Sequence, residues 1–270
     1  MKTVYFLIQG QFGNNLFQYF AAEIMKKIYN YDEVKPTFHI NLEFNTVIDD
    51  DKFKTIITRY MANNTVEIDT SKDILLMGFF QRSEIFEYER EYIKSLFTTM
   101  NTNHISNRIT IGNILKYQTK HTIQPDKNDL TVHLRCGDFW DPETKRSQIF
   151  HPNYIKDIIK GITYDKLFIV ADKANHEWEK EYYSQFDELN PIWISGNLGD
   201  DFDFLMKSNQ IITSASTMSW MAAYLGNAEN IHIPYNFYYG GSQGNGQHLG
   251  SFNDKCTMHY EDMYWVPCTF

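Results

Sequence analysis

Apolar positions along this chain come in short runs, and most runs are followed by a stretch in which apolar residues recur every three or four positions. Short runs suit buried strands, and the longer spacing suits helices with one inward face. Residues 3–8 are mostly apolar and fit a central parallel strand. Gly10 to Asn15 reads as a turn, and a helix is expected from Leu16 to Ile28 with Leu16, Tyr19, Phe20 and Ile24 on one face. A short strand near Thr37–Ile40, a polar segment with Asp49-Asp50-Asp51 and an apolar run, Ile74 to Met77, ending at Gly78 come next. Residues 83–98 predict a helix with Ile85, Phe86, Ile93 and Phe97 inside, and 101–127 reads as a helix and then a linker.

The second half is more regular. Strands are expected at 130–135, 167–170, 192–194, 210–212 and 230–233. Helices are expected from Pro152, a favourable first-turn proline, and over 175–186, 200–208 and 217–225. This alternation argues an α/β fold with parallel strands and helices on both faces. The glycine-rich segment 240–246 reads as a mobile loop. The expected organisation is an N-terminal α/β domain over 1–127, a C-terminal Rossmann-like domain over 128–250, and a tail, 251–270, packing back on the body.

Composition narrows the function. A net charge of −9 lacks the basic stripe of a nucleic-acid protein but leaves room for one nucleotide at a local positive site. Hydrophobic residues make up 43% of the 270, enough for a sizeable core, and core packing accounts for most of the 18 Tyr and 20 Phe. Three cysteines, Cys136, Cys256 and Cys268, show no metal or disulfide spacing. Val4–Ile8 is too short for a signal-peptide core, and no run reaches membrane-spanning length, so the expected chain is soluble and cytoplasmic.

Four segments can carry chemistry. His133-Leu134-Arg135-Cys136-Gly137-Asp138-Phe139 follows an apolar strand and delivers His, Arg and Asp to its C-terminal end, where α/β sheets bind ligands. An arginine there is a fixed fork for a phosphate, although an internal ion pair with Asp138 and a core role for His133 fit the same pattern. Gly10-Gln11-Phe12-Gly13-Asn14-Asn15 allows close ligand approach at a helix start, or is a plain tight turn. Ser214 to Trp220 opens a helix with Ser216 and Thr217, which either bind a phosphate or simply cap the helix. Asp172 ends a strand and can accept hydrogen bonds from a base or ribose. Asp201-Phe202-Asp203 is formally a D-x-D metal pattern, but its place at a helix start favours a dipole role. Asp49-Asp50-Asp51 reads as a solvated run.

Taken together, these segments resemble the α-1,2-fucosyltransferases of glycosyltransferase family 11. Phe12-Gly13-Asn14-Asn15-Leu16-Phe17-Gln18-Tyr19 looks like the family's G-x-G-N-x-x-F-Q-Y element, and Gly78-Phe79-Phe80-Gln81 with Phe86 looks like its G-Y/F-F-Q segment. Residues 133–138 match H-x-R-R-G-D, with Cys136 in place of the second arginine. Leu205-Met206 and Ile211 to Ala223 match its late segment, without the family's Asn and second Trp. The acidic pair before the family's Trp is reduced to Asp172, with Trp178 further along.

The resemblance implies a GT-B-like architecture of two Rossmann-like domains facing a cleft. It implies an inverting transfer of L-fucose from GDP-fucose to a glycan hydroxyl, α-1,2 to a galactoside, with no cofactor and no required metal. It makes Arg135, Asp138 and His133 the candidate catalytic residues, with Asp138 as base or as orienter of Arg135. Gly13, Asn14, Asn15, Asp172, Ser216, Thr217 and Ser219 become candidate donor-binding residues. Two other readings stand beside it: a related enzyme using another nucleotide sugar or acceptor, and a non-catalytic protein that binds a glycan or GDP.

Overall fold

The computed structural model describes residues 1–38, 44, 46–99, 121–141, 146–147, 149–235 and 249–260, with backbone alone at 99, 138, 140–141, 146–147 and 235. The expected strand residues 39 and 40, most of the 101–127 segment and the loop 240–246 lie outside the described residues. The chain divides into two compact units, Met1–Leu115 with Gln243–Phe252, and Lys116–Ser242 with Asn253–Phe270.

The sequence pattern divides the chain at 127/128 and gives all of 128–250 to the second domain. His121 already bonds Asp201 of the second unit at 3.1 Å, and Phe252, fully buried, carries the Arg90 guanidinium 5.7 Å above its ring in the first.

The first unit contains β1 (Thr3–Leu7), α1 (Phe12–Tyr29), β2 (Glu33–Thr37), β3 (Thr46–Ile48), α2 (Asp50–Met61), β4 (Ile74–Leu76), α3 (Ser83–Tyr88) and α4 (Arg90–Thr99). Its strands pair in parallel in the order β2-β1-β4-β3. Central β1 and β4 are apolar and buried, whereas β2, with Lys35 and Pro36, lies at an edge where a proline's missing N–H costs little. Helix α1 starts four residues earlier than expected. Gly10, at φ +70°, makes the turn, and Asn15 N–H already bonds Gln11 O at 3.1 Å, so Gly13, Asn14 and Asn15 are helical.

The second unit contains β5 (Leu130–His133), β6 (Trp140–Asp141), β7 (Arg146–Ser147), α5 (Pro152–Lys160), β8 (Leu167–Val170), α6 (Glu177–Ser184), β9 (Ile192–Ile194), α7 (Leu198–Lys207), β10 (Gln210–Ile212), α8 (Thr217–Leu225), β11 (Asn230–Tyr235) and β12 (Cys256–Tyr260). Six strands form one parallel sheet in the order β12-β11-β10-β5-β8-β9. Within the expected tail, Cys256–Tyr260 is thus the last strand of the sheet in chain order. The antiparallel pair β6–β7 lies between β5 and α5.

Counted from β5, the strand order is 3-2-1-4-5-6. Connections from β5 run one way along the sheet, and those from β10 run the other. The reversal leaves a crevice beyond the carboxyl ends of β5 and β10, where doubly wound sheets bind ligands. All four residues of β5 and of β8 are buried. Leu130 and Val132 pack with Ile155, Ile159, Tyr182 and Phe186, and Phe168 packs against Phe204 with ring centres 5.4 Å apart. Each such side chain contributes about 1.5–3 kcal/mol on burial, which makes β5 a rigid base for the loop it ends in. Each unit is built on a parallel sheet, as the α/β fold expected from the sequence requires. Among the described residues, no helix is long and apolar enough to cross a membrane.

Candidate functional site

The site is built where β5 and β10 end side by side. Their register pairs Val132 with Ile212, so His133 and Leu134 emerge next to Thr213 and Ser214. His133 Nδ1 lies 2.7 Å from Ser214 Oγ and ties the two ends together. Burial, and then the charge of Arg135, push the His133 imidazole down to about 3. The ring is only 5% exposed, and in this position it braces the two loops.

On the β10 side, Ser216 caps α8, its Oγ accepting Met218 N–H at 3.2 Å. Ser219 is fully buried. Its hydroxyl accepts Ser214 N–H at 3.1 Å and donates to Ser216 O at 3.1 Å. Both bonds are internal and hold the loop before α8. Thr217, half-buried, stands at the first position of α8 beside N–H groups that a helix start leaves available.

On the β5 side, register explains the key pair. His133 pairs with Val170, so two residues further along each chain Arg135 faces Asp172, and their side chains form an ion pair of 3.1 Å. Among the described residues, Asp172 is thus an ion-pair partner of Arg135. The guanidinium also sits 5.4 Å from the Phe139 ring centre, a cation–π arrangement. Asp138 lies in the 3-10 turn Gly137–Phe139, and its side chain is outside the described residues. Cys136 points into the core, and burial pushes its thiol up to about 12, which removes a thiolate nucleophile from consideration. His133, Arg135, Ser214 and Ala215 share one small pocket with Phe150 and Tyr182.

The D-x-D carboxylates take separate partners. Asp201 bonds His121 at 3.1 Å, while Asp203 pairs with Lys207 at 2.7 Å one turn along α7. Two positions apart on a helix, they point to different sides.

In the first unit, the two motifs near residues 12–19 and 78–86 meet at the ends of β1 and β4. Gln18, fully buried, donates to Gly78 O at 3.0 Å, and Gln81 donates to Asn14 Oδ1 at 2.8 Å. Asn15 donates inward to Gln9 O at 2.9 Å and to Gln18 at 3.2 Å, so it braces the turn, whereas Asn14 is half-buried. The Gln11 cap of α1 makes no side-chain cap bond.

Asp50, read from sequence as solvated, instead accepts Phe79 N–H at 3.1 Å and Phe80 N–H at 2.7 Å. It holds Phe80 at φ +54°, a costly conformation for a bulky residue. Nothing in an acidic run signals such a role. It follows from the pairing of β3 with β4, which brings Asp50 beside Gly78.

A doubly wound sheet with an arginine and a capped helix start at its switch point defines the class: an α/β protein with its candidate ligand site at that switch. Its membership is more specific. The model described as glycosyl transferase family 11 matches residues 90–242, more than half of the chain, and the chain belongs to that family of transferases. Among solved structures it is similar to a FUT1 mutant from Arabidopsis thaliana in complex with GDP, at 12% identity and TM-score 0.44, covering 86% of this chain and 70% of that one. It is also similar to ADP-heptose lps heptosyltransferase II of E. coli, at 10% identity and TM-score 0.42, covering 96% and 90%. No curated protein matches the sequence.

Proposed function

We propose that this chain transfers L-fucose from GDP-fucose to a hydroxyl of a glycan, α-1,2 to a galactoside, with inversion and without a required metal. The observation that carries the reading is the shared pocket of Arg135 and Ser214–Ala215 at the switch point of a family 11 member. Departure of GDP leaves charge on its β-phosphate. A guanidinium fork on one side and a helix start on the other meet that charge without reorganising when it develops.

In this reading Arg135 binds the β-phosphate, and Ser216 and Thr217 present the start of α8 to it. Asp172 orients Arg135 and reads the guanine. Asp138 takes the proton of the attacking hydroxyl. In the first unit, Gly13 and Asn14 stand in the first turn of α1, with Asn15 holding that turn in shape.

The test is a transfer assay with GDP-fucose over a glycan array, with and without EDTA. Fucose is expected on galactose-terminated glycans in both conditions. Preference for another nucleotide sugar in a donor panel would replace the donor. Activity lost in EDTA and restored by Mn²⁺ would replace the metal-free mechanism. GDP binding with no turnover on any acceptor would make the chain a binding protein.

A further inference from the structure

The loops that follow β5 and β8 carry Arg135, Asp138 and Asp172, and one carboxylate joins them. Glu179 is the third residue of α6 and is 2% exposed. Its Oε2 accepts Asn175 N–H at 2.6 Å and His176 N–H at 2.9 Å, and its Oε1 accepts Gly137 N–H at 3.1 Å. Three backbone donors match an acceptor-only carboxylate, and the start of α6 adds its dipole.

The bonds to Asn175 and His176 are ordinary capping. The bond to Gly137 is not, because it reaches a turn 42 residues earlier in the chain. Gly137 has φ +63°, and a Cβ there would meet nothing within 4 Å, so backbone conformation and not space demands the glycine. This turn stands between Arg135 and Asp138 and sets the direction in which the chain leaves each.

We infer that Glu179 is a positioning residue for the ligand site, locking the Arg135–Asp138 turn to the Asp172 loop so that both loops face one ligand. The ligand named in its test rests on the donor reading above; the geometry does not. A loosened turn keeps its arginine but not the arginine's place, and a displacement of about 1 Å is enough to cost about a hundredfold in rate. Glu179→Gln removes one acceptor oxygen and turns an N–H₂ toward backbone donors, so it cannot hold both loops.

The experiment measures GDP affinity by calorimetry and amide hydrogen exchange across 133–139 and 171–176. It compares wild type, Glu179→Gln and Glu177→Gln, the last altering an exposed glutamate on the same turn that pairs with Lys180. Glu179→Gln is expected to weaken GDP binding tenfold or more and to speed exchange in both loops tenfold or more, with Glu177→Gln like wild type. Unchanged exchange at 135–139 in Glu179→Gln overturns the inference. Faster exchange in a protein whose wild type binds no GDP supports the positioning role and removes the donor reading instead. If Glu179→Gln fails to fold, Glu179→Asp takes its place: it keeps a carboxylate at the helix start but falls one methylene short of Gly137. An Asp variant with wild-type exchange and GDP affinity reduces Glu179 to a helix cap.

Discussion

Arg135 and His133 sit two residues apart on one strand end and have opposite fates. The arginine emerges into the pocket, and the histidine is absorbed between two strands. Arg135→Ala is expected to lower transfer by a factor of about 10² to 10³, the usual cost of removing one donor to developing charge. Its ion pair with the largely exposed Asp172 is a surface contact, so the melting temperature should barely move, which a thermal scan checks. Equal turnover in wild type and variant would remove Arg135 from the mechanism.

His133 gives a prediction with a sign. Its folded pKa is depressed to about 3 from the ordinary 6.5, so between these values the unfolded chain binds the extra proton. Its stabilisation is complete above pH 6.5 and is lost as pH falls toward 3. Between pH 7.5 and 5 the loss is on the order of 2 kcal/mol, measurable by urea unfolding and absent in His133→Asn. An NMR titration showing His133 protonating near pH 6.5 contradicts the buried brace. The position of Arg135 at the end of a buried strand was legible in the sequence, because an apolar run is a local pattern. The placement of Asp172 opposite it was not, because only strand register decides which loop residues face each other.

At the scale of elements, the turn from Gly78 to Arg82 shows how packing overrides local preference. A Cβ at Gly78 would lie 2.5 Å from Asp50 Oδ2 and push the carboxylate off the Phe79 and Phe80 amides. Gly78→Ala is therefore expected to destabilise the protein by about 1–3 kcal/mol, read as a fall in the urea midpoint. The same comparison explains two element-level differences from the sequence pattern. The helix expected over 83–98 breaks at Glu89, whose buried carboxylate takes Lys27 Nζ at 2.7 Å and the Tyr60 hydroxyl at 2.6 Å. Strand β12 comes from a segment with no clear alternation, and it is held to β11 partly by His232 Nδ1 and His259 Nε2, 2.9 Å apart. Burial depresses both rings, His232 to about 4. Acidification below pH 6.5 is thus expected to loosen β12 ahead of the central strands, seen as earlier hydrogen exchange at 256–260. Uniform exchange across the sheet at pH 5 would argue against it.

At the scale of the molecule, a ligand that binds only the folded site stabilises by mass action. GDP at a hundredfold excess over its Kd should add about 2.7 kcal/mol to stability. Protection should concentrate in 133–139, 171–176 and 213–219, and a melting temperature that ignores GDP would count against the nucleotide reading. The sequence by itself determined the alternation of strands and helices in the second half, because apolar runs and helical spacing are local. It also determined the family, because motifs are read in order along one chain. It marked Arg135, Ser216 and Thr217 by their positions at element ends. Only the tertiary structure decided which ends are neighbours. The strand order places β5 beside β10, so that residues 81 apart, His133 and Ser214, share a hydrogen bond. It turned an acidic run into the Asp50 brace, buried His133 and Ser219 among internal partners, and set Asp172 against Arg135. The physical reason is common to all of these: burial and partner choice depend on contacts between segments far apart in sequence, and no local pattern encodes which segment will arrive.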